Sequence, residues 1–287
     1  MNIRNISRCL LVLIFVFSAL PFNNSSAQAA SNETKYVDIA SGSLNVRSGP
    51  GSNYKKVGSL KNYAKVIVYS KTKNGWSEIR YNKKKAFVSS EFLVNINLKN
   101  SRVTYTLKDA NGSKYKVYMI ASNEKMAKAS YDSYGWNSVW AGAADGDTLY
   151  KGDYKIYLRK NGSNIVTYTG YQSKEYIYNK TRHMVYSVPS KYKGQPDLFA
   201  VGEVMSSNFE EAQVYYVNNG KFKKIKTIGY TQRTKITGKD TYQTASYDNS
   251  VAKWYLNTYK LDTKRGTFNK TNFKKVDSIG NWRKDWK

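Results

Sequence analysis

Five carboxylates and one imidazole are the groups in this 287-residue chain whose types and spacing could do chemistry. Glu203, Glu210 and Glu211 lie close together after an apolar run, and Asp145-Gly146-Asp147 makes a second acidic pair. Two carboxyls about 5–9.5 Å apart can act as general acid and base, or as acid and nucleophile, on a glycosidic bond. The aspartates equally suit a tight turn, or weak calcium binding. His183 is the single histidine, inside the predicted strand Arg182-His183-Met184-Val185-Tyr186. Zinc hydrolases need two or more histidines or equivalent ligands, so His183 alone does not make a metal site. A Ser-His-Asp triad through His183 is formally open, but no Gly-x-Ser-x-Gly elbow accompanies it. The residues therefore argue for no catalytic centre, no metal and no cofactor. Carboxylate-dependent hydrolysis is the surviving enzymatic alternative.

The first residues say where these groups would work. Arg4 and Arg8 precede an apolar run from Leu10 to Leu20, and Ala27-Gln28-Ala29 offers a small-x-small cleavage pattern. This is the layout of a secretory signal peptide over residues 1–29. The run falls short of the ~20 apolar residues that cross a bilayer as a helix, so no stable membrane insertion is expected. Cys9, the only cysteine, would leave with that peptide. The remaining chain would have no thiolate nucleophile, thiolate ligand or disulfide. The expected location is secreted, either extracellular or associated with a cell wall.

Charge narrows the partners. The chain has a formal net charge of +27, and after residues 1–29 it still holds 45 basic against 20 acidic side chains. Such a field favours polyanions, with screening over about 8–10 Å at physiological salt. Export disfavours nucleic acid, leaving wall teichoic acids, peptidoglycan carboxylates and anionic headgroups. The lysines are dispersed; Lys83-Lys84-Lys85 is a lone triple in a predicted hairpin turn. A solubilising surface is the plainer alternative.

The elements that would position a site begin with Leu44-Asn45-Val46-Arg47, which alternates apolar and polar side chains like a strand with one buried face. Ser48-Gly49-Pro50-Gly51 ends it, because proline cannot donate to a ladder and glycine accepts positive φ. Gly75-Trp76-Ser77-Glu78-Ile79-Arg80-Tyr81 follows, then the lysine turn, then Ala86-Phe87-Val88-Ser89-Ser90-Glu91-Phe92-Leu93. In this order the segment 36–93 resembles the bacterial SH3-like domain, a small barrel appended to secreted wall proteins. The resemblance implies a peptidoglycan-binding module, with Arg47, Tyr54, Trp76 and Tyr81 as candidate ligand-binding residues. It also implies packing alternatives: Trp76, Phe87 and Val88 can be core, and Arg47 can anchor its turn. Tyr63-Ala64 stands where the family usually has glycine, and Ala86-Phe87 where it usually has Gly-Trp. Many proteins with this module are wall hydrolases, which keeps the carboxylate alternative in view.

The organisation expected is a signal peptide at 1–29, an SH3-like domain at 30–95 and an all-β domain at 96–287. In the last, Tyr154, Ile156 and Leu158 share one strand face, and Asn161-Gly162 and Asn218-Asn219-Gly220 are hairpin signals. Helical periodicity is poor; only Asn123 to Ser130 offers a turn or two. A β-sandwich or a partial propeller of four-stranded units both fit. Alternation at Tyr215-Tyr216 and Tyr176-Ile177-Tyr178 predicts that half of these tyrosines are buried and half exposed. The composite expectation is a secreted, non-enzymatic binding protein for peptidoglycan or teichoic acid, its oligomeric state open. A secreted inhibitor or adhesin directed at another protein is a further alternative.

Overall fold

The computed structural model describes residues 32–39, 41–163 and 165–287. The expected signal peptide lies outside them. Every long element is a strand, and all the pairings between strands are antiparallel. The all-β expectation holds.

The first eight strands are β1 (Glu33–Val37), β2 (Ser43–Arg47), β3 (Lys56–Lys61), β4 (Lys65–Val68), β5 (Ser70–Lys71), β6 (Trp76–Tyr81), β7 (Lys84–Ser89) and β8 (Leu93–Val94). They form two small sheets, ordered β4-β1-β8 and β3-β2-β7-β6-β5. Alternation does what it promises in β2: Leu44 and Val46 are buried, while Ser43 and Asn45 face out. Val37, Val66, Ile79 and Val88 join them in one core. The β6–β7 hairpin turns on Asn82 and Lys83, both at positive φ (49° and 65°), so Lys83 alone of the lysine triple is in the turn and its neighbours begin β7. In the Gly-Pro-Gly turn, the Tyr54 ring lies directly on Gly49. A Cβ there would stand 2.2 Å from the ring, so the close approach requires glycine.

Two carboxylates of this barrel are strongly ionised. Hydrogen bonds from Arg80 and Lys85 hold the Glu78 carboxyl at about 2, well below its ordinary 4.5. Glu33 is held at about 2 by Lys35 and Lys71. A depressed folded-state pKa adds stability above the unfolded value and loses it as pH falls towards the folded one. Acid unfolding should therefore steepen between pH 4.5 and about 2. The Glu78→Gln variant should show a shallower decline over that window, measured by denaturant titration at each pH.

Beyond residue 102 the strands form three sheets. The first contains β9 (Val103–Lys108), β10 (Lys114–Ala121), β11 (Lys125–Lys128), β12 (Thr148–Lys160) and β13 (Thr167–Asn179). The second is a meander of β14 (Val185–Val188), β15 (Leu198–Ser206), β16 (Phe209–Asn218) and β17 (Lys221–Tyr230). The third repeats that plan with β18 (Gln232–Gly238), β19 (Thr241–Asp248), β20 (Lys253–Asp262) and β21 (Thr267–Val276). The Asn218-Asn219-Gly220 hairpin is present, with Asn219 and Gly220 both at positive φ.

The second sheet is the middle layer of a stack. One of its faces puts Val185, Phe199, Val201, Tyr215 and Val217 against Leu107, Met119, Ile156 and Tyr176 of the first sheet. Its other face puts Tyr186, Leu198, Ala200, Val214 and Tyr216 against Ile236, Tyr242 and Phe268 of the third. Each Val, Leu, Ile, Met or Phe among them contributes roughly 1.5–3 kcal/mol of burial. The arrangement is a sandwich extended by a third layer.

Three expectations change here. Tyr215 and Tyr216 are both buried because consecutive residues of β16 point to opposite faces that are each covered by a sheet; Tyr176 and Tyr178, two apart, share one face and are buried together in the core between the first and second sheets. Residues 125–128 of the expected helical turn are strand β11, paired with β12 from Lys125↔Lys151 to Lys128↔Thr148. His183 is not in a strand: it sits at φ 48° in a turn, and β14 begins at Val185.

Barrel and stack share an apolar seam of Tyr36, Tyr118, Tyr157 and Val166. Lys155 Nζ bonds both oxygens of Asp38 at 3.1 and 3.2 Å. Tyr63, at the position where the family usually has glycine, keeps a left-handed φ of 62°. A bulky residue is unfavourable there unless its surroundings hold it. Its ring meets Tyr168 of β13 with centroids 3.7 Å apart, and the Lys155 ammonium lies 5.1 Å from its centre.

Candidate functional site: a groove on the barrel

The outward residues of β2 form one wall of a groove of about 810 Å³. Period-two geometry that buries Leu44 and Val46 presents Ser43, Asn45 and Arg47 along this wall. The far side is built from the turn before β6 and the segment after β7, with Trp76, Glu91 and Phe92 as its larger side chains. These parts come from distant sequence positions and are tied together. Asn74 Nδ2 donates to Pro50 O at 2.7 Å, joining the turn before β6 to the Gly-Pro-Gly turn. Ser77 Oγ and Ser90 Oγ are 2.7 Å apart, and Trp76 stands opposite Ser89 across the β6–β7 ladder.

The groove is more apolar than polar, carries both signs of charge and has aromatic surface. Arg47 Nη1 donates to Tyr54 O at 2.8 Å, which fixes the guanidinium while its remaining donors stay available. Glu91 accepts from Ser89 Oγ at 2.9 Å and is exposed. Trp76 is half-buried: its backbone N–H donates to Thr72 Oγ1 at 3.1 Å, and its indole lines the groove. Such a surface can pair a carboxylate at Arg47 and an amine at Glu91 while a sugar ring or peptide plane lies on the indole.

Of the four residues singled out by sequence, Arg47 and Trp76 line this groove together. Tyr54 is 44% exposed and lies over Gly49, beside the groove through its bond to Arg47. Tyr81 is elsewhere: it packs on the barrel core with its ring against Gly58. Phe87 and Val88 are core, as expected. Asn74, Glu91 and Phe92 were missed. The exposed parity of β2 was readable, but only the loop-to-loop bonds bring residues 74 and 91 across from it.

Residues 42–94 match the family model of the bacterial SH3 domain. This barrel is a bacterial SH3 domain. The SH3 match contains every residue of the groove except Ile39 and Ser41, and no family model covers the stacked sheets. Bacterial SH3 domains are commonly wall-binding modules. No curated protein matches the chain.

The acids named at the outset are placed differently. Asp147 caps its own turn, accepting from Ala144 N at 3.0 Å and Asn179 Nδ2 at 2.7 Å. Glu210 is engaged by Arg233, whose Nε and Nη2 donate to it at 2.8 and 3.0 Å. Glu203 and Glu211 stand directly opposite one another on β15 and β16, both exposed on the sheet surface. Among the described residues no group of three or more His, Cys, Asp or Glu side chains is arranged to hold a metal ion. No helix among them is long and apolar enough to cross a membrane.

Proposed function

We propose that this is a secreted, non-enzymatic wall-associated protein whose SH3 groove holds peptidoglycan and whose basic surface adds attraction to anionic wall polymers. The observation that carries the reading is the groove itself: Arg47, Glu91 and the Trp76 indole meet on one face of a bacterial SH3 domain. Peptidoglycan stem peptides present carboxylates, amines and amide planes beside sugar rings, the groups this surface can pair. Purified protein should sediment with cell-wall sacculi at low salt. Failure to do so would remove the reading.

One observation favours a second reading. Residues directly opposite in an antiparallel pair have Cβ atoms about 4.5–5.5 Å apart, so Glu203 and Glu211 can bring two carboxyls within the range of a retaining glycosidase. Against it, the pair stands on an open strand surface, where water is not excluded. The two readings separate in a zymogram and in an assay for soluble muropeptides. The expected result is no release by the wild type, and none by Glu203→Gln. Release by the wild type that Glu203→Gln abolishes would overturn the non-enzymatic reading.

A further inference from the structure

The third sheet ends on a strand unlike any core strand of the molecule. Residues 269–275 of β21 are exposed without interruption, and they include Lys270, Lys274 and Lys275. β17, the last strand of the second sheet, adds Lys221, Lys223, Lys224 and Lys226. Seven lysines and no acid thus lie on two strands that are the edges of adjacent layers and approach one another across the stack. None of the seven has a carboxylate within ion-pair distance among the described residues; the nearest acids, Asp248 and Asp277, lie beside Lys275 at one end, and Asp277 is paired with Lys253.

Register sorts these lysines by face, because cross-strand partners share one. Lys221 is opposite Asn218, Lys223 opposite Tyr216 and Lys226 opposite Val214, which places all three on the face turned towards the third sheet. Lys270 is opposite Tyr259 and Lys275 opposite Tyr255, which places both on the face turned towards the second sheet. Five lysines therefore lie on the facing sides of the two edge strands, on either side of the trough between them. Within it Phe273, 54% exposed, stacks on Tyr255 with centroids 5.1 Å apart, and the Lys270 ammonium lies 4.4 Å from the Phe273 ring centre.

We infer that this trough is a second binding site, for a linear phosphodiester polymer of the cell wall. The inference rests on the wall-associated reading above and gives its diffuse charge a location. Lysines are compact, strongly hydrated cations that take phosphate as point charges, without the planar fork that arginine offers a carboxylate. Same-face residues on a strand recur every ~6.6–6.8 Å, which suits a ligand bearing one negative charge per repeat along its length. Keeping sheet edges from pairing would need only an isolated lysine on each, not five turned into one trough.

The test uses the full chain and lipid-free poly(glycerol phosphate). With five charges neutralised, the logarithm of the binding constant should fall with the logarithm of salt at a slope of about −3.5, roughly 10²-fold for a four-fold rise in salt. The variant with Lys221, Lys223, Lys226, Lys270 and Lys275 all changed to Gln should lose roughly 10²-fold in affinity at low salt, and most of the slope. A control changes five exposed barrel lysines, Lys55, Lys56, Lys61, Lys73 and Lys83, to Gln, and should lose less than about three-fold. Equal losses in the two variants would mean attraction by net charge alone and would overturn the site. Tighter binding to phosphatidylglycerol-containing vesicles than to the polymer would overturn the choice of ligand. Acetylation footprinting of the wild type gives a readout free of any folding effect: the five trough lysines should be protected by polymer, and labelling that ignores polymer would also overturn the site. Sacculi stripped of phosphodiester polymer report the groove alone, so retention there by the trough variant separates this inference from the wall-binding reading.

Discussion

Replacing Trp76 by alanine should weaken binding to sacculi by roughly 30-fold, the equivalent of about 2 kcal/mol for losing a central aromatic anchor. The indole is half-buried and lines the groove beside Arg47. Its removal deletes the large apolar surface on which a ring or amide plane would lie, and leaves Arg47 and Glu91 in place. Trp76→Phe should recover part of the loss, since a smaller aromatic face remains. Tyr81→Ala is the informative contrast, because its ring serves the barrel core and lies away from the groove lining. Sedimentation isotherms at fixed salt measure all three. Wild-type affinity in Trp76→Ala, together with lost affinity in a folded Tyr81→Ala, would place the peptidoglycan site on the wrong face.

Glu210→Ala should destabilise the protein by about 3–5 kcal/mol, because it leaves a buried guanidinium without its counter-charge. Arg233 is 8% exposed. Besides Glu210, it donates to the carbonyl oxygens of His183 and Arg182 at 2.9 Å each. Its guanidinium faces the rings of Tyr186 and Trp286, and its own carbonyl accepts from Trp282 Nε1 at 2.9 Å. Burial alone would lower the Arg233 pKa, but the Glu210 bonds outweigh it and the net shift is upward. The charge is thus retained inside the fold at every accessible pH. Thermal or denaturant unfolding checks the loss. A change below about 1 kcal/mol would mean that the site refills with water and that the buried charge is not held by Glu210. The same variant bears on catalysis, since Glu210 is one of the acids that spacing alone could have put to chemical use.

The SH3 barrel was legible because its signals are local. Alternation at Leu44 and Val46, the Gly-Pro-Gly stop and the hairpin after Tyr81 depend on residues within a few positions of each other. The same holds for Asn218-Asn219-Gly220. The stack was legible only as strands. Period-two patterning says which residues share a face but not whether both faces are covered, so Tyr215 and Tyr216 could not both be assigned to the interior. Asn123 to Ser130 had no strand signal of its own, and pairing with β12 imposed one. Within the groove, Arg47 and Trp76 were found through their motif. Asn74 and Glu91 were not, because their place opposite β2 is made by bonds between loops.

Tyr63 and the seam beneath it decide how the protein can reach for a surface. Two modules on a flexible linker gain from each other by effective concentration over a range of separations, and tolerate a disordered target. Here Tyr36, Tyr118, Tyr157 and Val166 close the joint, and Lys155 locks to Asp38. If the groove and the stack both bind, the chain would act as a calliper and not as a tether. Simultaneous engagement at the groove and on the stack is possible only where the target offers both at one spacing and one angle. Under the proposed function, such a protein would register the local order of a wall lattice.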